Sequence, residues 1–181
     1  MQMPAAISGL MAHLLKARQR LTSATGRKPA LVVKLAPEIA EDDLAELVAT
    51  LIASGADGIA LSNTTIARDG LTDTRFSREQ GGLSGRPLFR RATRMLARVY
   101  LLSHGKVPLI GIGGIDSGAA AIAKIAAGAT LLQLYTGLIY EGPGLVQRIN
   151  RDLSTELRQR GFASLAQLRG SEAERWAHAA P

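Results

Sequence analysis

The sequence VPLIGIGGIDSGAAAIAKIAAGATLLQLYTGLIYEGP, from Val107 to Pro143, decides the fold of this chain. Two short apolar runs, Pro108 to Ile112 and Thr130 to Leu134, enclose an alanine-rich stretch that has the spacing of a helix. A strand, a helix and a second strand in this order form a unit whose two strands run parallel. The stretch therefore predicts a parallel α/β protein.

Glycines are concentrated where the first of these strands ends, at Gly111, Gly113 and Gly114. A backbone without Cβ atoms can bring its N–H groups close to a ligand, and a phosphate would fit there. The second strand runs into Tyr135, Thr136 and Gly137. In eightfold β/α barrels the loops after the last two strands, beside a helix N-terminus, are the usual phosphate grip. The paired loops therefore predict a phosphate site.

Two other interpretations of the glycines are open. A dinucleotide motif G-x-G-x-x-G that began at Gly111 would need a glycine where Asp116 stands, so this interpretation is weaker. An ordinary tight turn at Gly113 and Gly114 would also explain them, and the second loop favours the phosphate site over it.

Length and composition limit the class of protein. The 181 residues suffice for one domain but are fewer than the ~250 of a complete β/α barrel. The chain has no cysteine, which excludes disulfides and thiolate metal sites, and its three histidines lie far apart, so no metal is expected. The net charge of +7 comes from arginines spread over helical patterns, so we interpret it as solvated helix faces, with an acidic ligand or a membrane surface as the second possibility. The sequence shows neither a signal peptide nor an apolar run that would span a membrane.

Periodicity predicts the other elements. Helices are expected at Ser8 to Leu21, Glu41 to Ser54, Leu88 to Ser103 and Pro143 to Arg160. Strands are expected at Ala30 to Pro37 and at Gly58 to Leu61, and the polar excursion from Ile66 to Pro87 is too long for an ordinary connection. Four β-α units in series make half of a TIM-barrel type β/α barrel. The expected organisation is a leading amphipathic helix and connector (1–29), the half-barrel (30–161) and a tail (162–181).

Polar residues follow the predicted strands, where barrels place their active sites. Lys34 interrupts an apolar strand, and it is either a buried ammonium with an anionic partner or a lysine that reaches solvent from the strand end. The run Ser62-Asn63-Thr64-Thr65 offers an amide and hydroxyls that could bind a planar polar molecule, or it is a cap or turn. Ser84 and Gly85 add a hydroxyl and an unhindered N–H. Neither a Ser-His-Asp set nor a close carboxylate pair is evident, so a phosphorylated cofactor and a small polar substrate are favoured over hydrolysis.

Five segments, in order, resemble motifs of the dihydroorotate dehydrogenase family. They are VVKLAPE (Val32 to Glu38), DGIALSNTT (Asp57 to Thr65), GGLSGRPL (Gly81 to Leu88), VPLIGIGGIDS (Val107 to Ser117) and GATLLQLYTGLIYEGP (Gly128 to Pro143). The resemblance extends from about Ser8 to about Phe162. The form GGLSGRPL is similar to the quinone-dependent class 2 enzymes rather than to the soluble class.

The resemblance implies an FMN-containing β/α barrel that oxidises (S)-dihydroorotate to orotate in pyrimidine (UMP) biosynthesis and passes the electrons to a quinone. It implies that Lys34 lies against the flavin ring and stabilises negative charge as the ring is reduced. The other positions that match FMN contacts are Ser62, Gly85, Gly114, Tyr135 and Thr136, the last three around the phosphate. The positions that match the pair binding the pyrimidine ring of the substrate are Asn63 and Thr64.

The sequence also departs from the family pattern. The family's catalytic base is a serine in a loop of the N-terminal half, and no segment here matches that loop, so no catalytic residue is assigned. The N-terminal flavin-binding segments and the short helices that dock on the membrane and admit quinone have no counterpart either. The resemblance thus implies a C-terminal half of the enzyme, with peripheral contact to the cytoplasmic side of the membrane made through the region without counterpart.

Other functions remain open at this stage. A non-catalytic half-barrel that holds FMN or phosphate, or an inactive remnant that needs a partner chain, would keep the phosphate loops without a base. A different FMN barrel, such as a dihydrouridine synthase, fits the phosphate loops but not GGLSGRPL. Because a half-barrel leaves sheet edges unpaired, the expected macromolecular partner is another copy or a complementing N-terminal half, and nucleic acid is not expected.

Overall fold

The structure, a computed structural model, describes residues 4–69, 71, 73, 75 and 77–180. The helices are α1 (Pro4–Thr25), α2 (Glu41–Ala53), α3 (Phe89–Leu102), α4 (Gly118–Ala126), α5 (Thr136–Glu141), α6 (Gly144–Gln159), α7 (Leu165–Leu168) and α8 (Ala173–Ala177). The strands are β1 (Val32–Leu35), β2 (Gly58–Leu61), β3 (Leu109–Ile112) and β4 (Leu131–Gln133). A short 3₁₀ turn, Arg86–Leu88, precedes α3.

The strands form one parallel sheet in the order β1-β2-β3-β4, which confirms the predicted parallel α/β architecture. Helices connect the strands, and local sequence explains where they begin. The first turn of α2 contains Glu41, Asp42 and Asp43, whose charges complement the helix dipole. At α4 the Oγ of Ser117 accepts a hydrogen bond from the N–H of Ala120 at 3.2 Å, which is an N-cap.

The two faces of the sheet differ in burial. Ile59 and Leu109 pair in register and are completely buried beneath the helices, in one core with residues such as Leu47 and Leu96. On the other face, which we call the inner face, the register joins Lys34, Ala60, Ile110 and Leu131 in one row. The ends of this row, Lys34 and Leu131, are exposed, and Leu131 is 60% accessible. The inner face is therefore open toward solvent at both sheet edges.

The observed elements differ from the predicted ones mainly at the edges of the chain and the sheet. The first helix is longer than the predicted Ser8 to Leu21, because α1 extends over Pro4–Thr25. The strand expected at Ala30 to Pro37 shortens to Val32–Leu35, since only these residues find a partner in β2. No element was predicted after Phe162, yet α7 and α8 form there, and α8 packs along α3. Within the described residues, no helix is both long and apolar enough to cross a bilayer.

The polar excursion between β2 and α3 is tied at its base. Thr65 and Leu83 exchange backbone hydrogen bonds of 3.1 and 2.7 Å, so the two ends of the excursion meet. The guanidinium of Arg68 donates to the carbonyl of Glu79 at 2.8 Å and to that of Gly81 at 2.7 Å. These bonds set the segment Gly81 to Leu88 beside the ends of the strands. Residues 70, 72, 74 and 76 of the excursion lie outside the described residues.

Candidate functional site

A cavity of about 400 Å³ lies where the carboxyl ends of the strands meet the base of the excursion. Its walls include every residue to which the sequence analysis assigned a binding role: Lys34, Ser62, Asn63, Thr64, Gly85, Gly114, Tyr135 and Thr136. The fold brings these residues together from five separate segments because parallel strands all end at the same edge of the sheet. Their individual roles stay predictions, whereas their common location is a feature of the structure.

The loop after β3 forms one wall of the cavity. Gly113 and Gly114 have φ values of +94° and +71°, which residues with a Cβ atom rarely adopt. A Cβ on Gly114 would also come within 2.7 Å of the Cα of Phe89. Among the described residues, neither backbone N–H finds an acceptor. The loop thus presents two unpaired donors on a cavity wall, which is the arrangement that binds phosphate oxygens.

The segment Gly81 to Leu88 forms the opposite wall. The hydroxyl of Thr136, which follows β4, donates to the Oγ of Ser84 at 2.9 Å, so this segment is joined to the second phosphate loop. Gly85 packs against the methyl group of Thr136, and Gly82 lies against the side chain of Thr64. Glycines at these two positions let the segment approach both neighbouring loops closely.

The loop after β2 contributes three polar residues to the cavity wall, Ser62, Asn63 and Thr64. Ser62 is buried, and its hydroxyl donates to the carbonyl of Asn63 at 2.9 Å. The backbone N–H of Asn63 donates to the carbonyl of Leu35 at 2.9 Å, which joins this loop to the end of β1. The side-chain oxygen of Asn63 accepts from the N–H of Thr64 at 2.9 Å. The Asn63 amide nitrogen and the Thr64 hydroxyl therefore remain available to a polar ligand.

The charge of the cavity favours an anion. Lys34 is the one charged side chain in its wall, and no carboxylate lines it within the described part of the chain. An adjoining cavity of about 640 Å³ extends from the same loops past Arg86 and Asp116. These two side chains form an ion pair, which favours the charged guanidinium and raises the pKa of Arg86. A ligand longer than the first cavity could extend into the second.

The structure decides which lysine is buried. Lys34 is exposed on the inner face, and its contact with an anionic partner stays a prediction. The completely buried lysine is Lys124 in α4, which sequence reasoning did not consider. Burial lowers the pKa of Lys124 from 10.5 to about 7. A sequence signal existed, because Lys124 is the single charged residue in an otherwise apolar helix.

Two further residues around the site were missed from the sequence. Gln133, at the end of β4, lines the cavity and adds an amide to the polar set. Arg68 does not line it but holds the base of the excursion through the carbonyl groups of Glu79 and Gly81. Neither position stands out in a linear pattern, because one is an ordinary strand residue and the other lies in an irregular segment. No group of three or more potential metal ligands occurs among the residues that the structure describes.

Comparison with known proteins agrees with this geometry. A family model described as dihydroorotate dehydrogenase matches residues 3–157. The chain is 45% identical over 174 residues to a dihydroorotate dehydrogenase (quinone) of Rhodopseudomonas palustris, with 96% of this chain and 48% of that protein covered. It is 48% identical over 158 residues to the protein of the same name from Rhodospirillum rubrum, with 87% of this chain and 43% of that protein covered.

Solved structures show the same relationship. A crystal structure of ligand-free dihydroorotate dehydrogenase from Eimeria tenella superimposes with a TM-score of 0.88 at 29% identity, covering 95% of this chain and 51% of that one. The Eimeria tenella enzyme in complex with ferulenol gives a TM-score of 0.76 at 35% identity, covering 81% and 39%. The matches confirm the predicted family resemblance and the barrel-type fold. The chain spans about half the length of the curated relatives it matches.

Proposed function

Because the chain belongs to the dihydroorotate dehydrogenase family, we propose that it supplies the phosphate grip and one wall of the flavin site of a quinone-dependent enzyme of pyrimidine biosynthesis. The reaction would be the oxidation of (S)-dihydroorotate to orotate. The observation that supports the proposal is a single acid-free cavity that contains every predicted FMN and substrate contact beside two unpaired backbone N–H groups.

The residues of the cavity fit FMN. A terminal phosphate needs several donors and no nearby carboxylate, and the cavity provides the N–H groups of Gly113 and Gly114 with the hydroxyl of Ser84, which accepts from Thr136 and can itself donate. The positive φ of Gly114 and its close packing on Phe89 leave no room for a side chain between the loop and α3, so this cavity wall keeps a backbone without Cβ. The walls beyond the phosphate loops contain Leu134 and Ile112, which suit an apolar ring system.

Each side chain has a distinct task in this proposal. FMN, when bound, supplies the acceptor for the hydride that leaves the substrate. Lys34 holds a positive charge on the open inner face, where it would lie beside the flavin ring and favour added negative charge. Asn63 and Thr64 present an amide and a hydroxyl that would orient the pyrimidine ring of the substrate. Ser84 and Thr136, joined at 2.9 Å, hold the two phosphate-side loops together.

The reaction also requires a general base that removes a proton from the substrate. Loss of hydride from one carbon of dihydroorotate is coupled to loss of a proton from the neighbouring carbon, and a general base must lie within reach of that proton. By the family resemblance this base is a serine in a loop that no segment of this sequence matches, and neither a histidine nor a carboxylate lines the described walls of the cavity. We therefore propose that the base, and the contact with quinone and membrane, come from structure outside the 181 residues.

A non-catalytic FMN-binding or phosphate-binding half-barrel is the second candidate. The observation in its favour is the open sheet, in which the edge residues Val32 and Leu131 are 42% and 60% exposed. A site with one wall exposed to solvent binds weakly, because the ligand is desolvated on one side only. The two candidates differ in whether a complementing chain restores catalysis.

The test combines binding with complementation. FMN affinity of the 181-residue chain is measured by flavin fluorescence, with Lys34→Ala as the test variant and Lys16→Ala, an exposed position on α1, as the matched control. The chain is then co-expressed with the part of the Rhodospirillum rubrum relative that it does not match, and orotate formation is followed with a soluble quinone. We expect the 181-residue chain by itself to bind FMN weakly, and the co-expressed pair to bind FMN tightly and form orotate. Lys34→Ala should reduce the rate of orotate formation by the pair at least tenfold, and Lys16→Ala should leave that rate unchanged.

The results separate the two candidates. A folded, flavin-loaded pair that forms no orotate would refute the enzymatic proposal and favour the binding module. Robust turnover by the 181-residue chain alone would contradict the assignment of the base to structure outside it. Equal rates of orotate formation in the pairs that carry Lys34→Ala and Lys16→Ala would remove the role given to Lys34.

A further inference from the structure

The buried Lys124 lies one layer behind the phosphate loop. Its ammonium donates to the carbonyl oxygen of Ile112 at 3.1 Å, and it stands 5.3 Å from the centre of the Phe89 ring. The residue has no solvent exposure, and in the described part of the chain no carboxylate pairs with it. A buried ammonium with a carbonyl and an aromatic ring as its neighbours is an uncompensated charge, which is costly unless an anion comes close.

Both neighbours of Lys124 belong to the phosphate loop or support it. Ile112 is the last residue of β3 and is followed directly by Gly113. Phe89 is the first residue of α3, and its backbone packs against Gly114. The Phe89 ring also meets Trp176 of α8 edge to face at 5.8 Å, so the tail of the chain stabilises this support from behind.

The orientation of one peptide group links Lys124 to the cavity. The bond between Ile112 and Gly113 is trans, and in a planar trans peptide the C=O and the N–H point in opposite directions. Because the Ile112 carbonyl points at Lys124, the Gly113 N–H points away from Lys124, on the side where Gly113 lines the cavity. The hydrogen bond thus fixes the direction of a donor that the phosphate would use.

We propose that Lys124 is a positioning residue for the phosphate group: its ammonium holds the Ile112 carbonyl so that the Gly113 N–H faces the cavity, and it provides the buried positive charge that an anion at Gly113 and Gly114 requires. The inference rests on the proposed phosphate grip. A phosphate at the loop would in turn favour the charged form of Lys124, whose pKa burial otherwise lowers to about 7. A purely structural lysine would support the fold equally for all ligands of the cavity.

The first experiment uses inorganic phosphate as the probe. Amide resonances of Gly113 and Gly114 are followed by ¹⁵N NMR during phosphate titrations of the wild-type chain, of Lys124→Met and of Lys106→Met. Lys106 is the matched control because it is an exposed lysine in the turn before β3. We expect saturable shifts in the wild type and the control, and an affinity about tenfold lower in Lys124→Met, as removal of one nearby buried charge implies. The inference would be overturned if the amide resonances of Gly113 and Gly114 in the wild-type chain did not shift when phosphate is added.

The second experiment separates charge at the phosphate from general stability. FMN and riboflavin share the ring system, but riboflavin lacks the phosphate, so the ratio of their affinities reports the phosphate site alone. We expect Lys124→Met to reduce this ratio about tenfold, whereas a structural defect would weaken both ligands equally. Should Lys124→Met fail to fold, Lys124→Gln, which keeps a donor without the charge, takes its place in both experiments with the same expected result.

The outcomes distinguish this inference from the proposed function. Phosphate shifts at Gly113 and Gly114 that depend on Lys124, without any FMN binding, would support the role of Lys124 and refute the FMN site. FMN binding with the same FMN-to-riboflavin ratio in the wild type and Lys124→Met would support the FMN site and overturn the role of Lys124.

Discussion

Replacement of Lys124 by methionine should change how the stability of the ligand-free chain depends on pH. Burial lowers the pKa of Lys124 from 10.5 to about 7, so between these values the unfolded chain binds a proton that the folded chain does not. The free energy of unfolding of the wild type therefore rises with pH in this window. Each pH unit adds up to about 1.4 kcal/mol, and because Lys124 is half deprotonated at pH 7 the gain amounts to roughly 2 kcal/mol between pH 7 and pH 9.

The methionine variant lacks this titration. It no longer buries a charge, which stabilises it most at pH 6 to 7, but it leaves the Ile112 carbonyl without its donor, which costs about 1 to 3 kcal/mol at every pH. The pH dependence of the difference, rather than its sign at one pH, is therefore the informative quantity. We expect the wild type to gain on the variant steadily from pH 7 to pH 9.

The assay is urea unfolding of both proteins, followed by circular dichroism at pH 6, 7, 8 and 9 in buffers free of phosphate and sulfate. Other titrating groups contribute equally to both proteins and cancel in the difference. A difference in unfolding free energy that stays constant from pH 6 to pH 9 would refute the uncompensated burial of Lys124. Added phosphate should flatten the slope, because an anion at the loop keeps the lysine charged.

Three further predictions follow from the geometry. Gly114→Ala should lose phosphate binding and at least about 2 kcal/mol of stability, since its φ is +71° and its Cβ would meet Phe89. The control Gly9→Ala has open space around the new methyl group and should not destabilise the chain. Urea unfolding measures the stability of both variants. Arg68→Met should make the excursion more sensitive to limited proteolysis than in the wild type, and an unchanged cleavage rate would show that its carbonyl contacts do not hold the segment. The chain should self-associate with concentration through its open sheet edges, and Leu131→Lys should reduce the association in sedimentation experiments; a wild-type chain that stays monomeric would contradict this.

The sequence predicted the order of strands and helices well, because that order depends on local hydrophobic spacing. The strand at Gly58 to Leu61 was found with its observed bounds, and α2 ends one residue before the predicted limit. The predicted α/β class followed from the alternation of these segments. The prediction that 181 residues are too few for a complete β/α barrel also came from the sequence, because it depends only on chain length.

The predicted site residues were found together for a similar reason. Glycines and hydroxyl groups at strand ends mark ligand loops in any parallel sheet, and the fold then places those ends at one edge. Family motifs supplied the identity of the expected ligand, which residue types alone left at a phosphorylated cofactor. The assignment of individual contacts remains a prediction for the binding experiments above.

Burial was decided only by the tertiary structure. The linear pattern around Lys34 is that of a buried strand, but β1 forms an edge of the sheet and no further strand pairs with it among the described residues, so Lys34 is exposed. Lys124 is the one charged residue of an apolar helix, but its complete burial follows only from the packing of α4 between the sheet and α6. Whether a charge lies in water or in the core depends on which elements surround it, and that information lies in residues far away along the chain.

The same distinction applies to the segments without periodicity. Arg68 in the excursion and Trp176 in the tail have no regular neighbours in sequence, and their partners, Gly81 and Phe89, become visible only when the chain is folded. The sequence by itself determined the elements, their parallel order and the loops that can hold a phosphate, because each depends on neighbouring residues. The tertiary structure alone decided the exposure of Lys34 and the buried charge behind the phosphate loop, because both depend on which distant segments surround each residue.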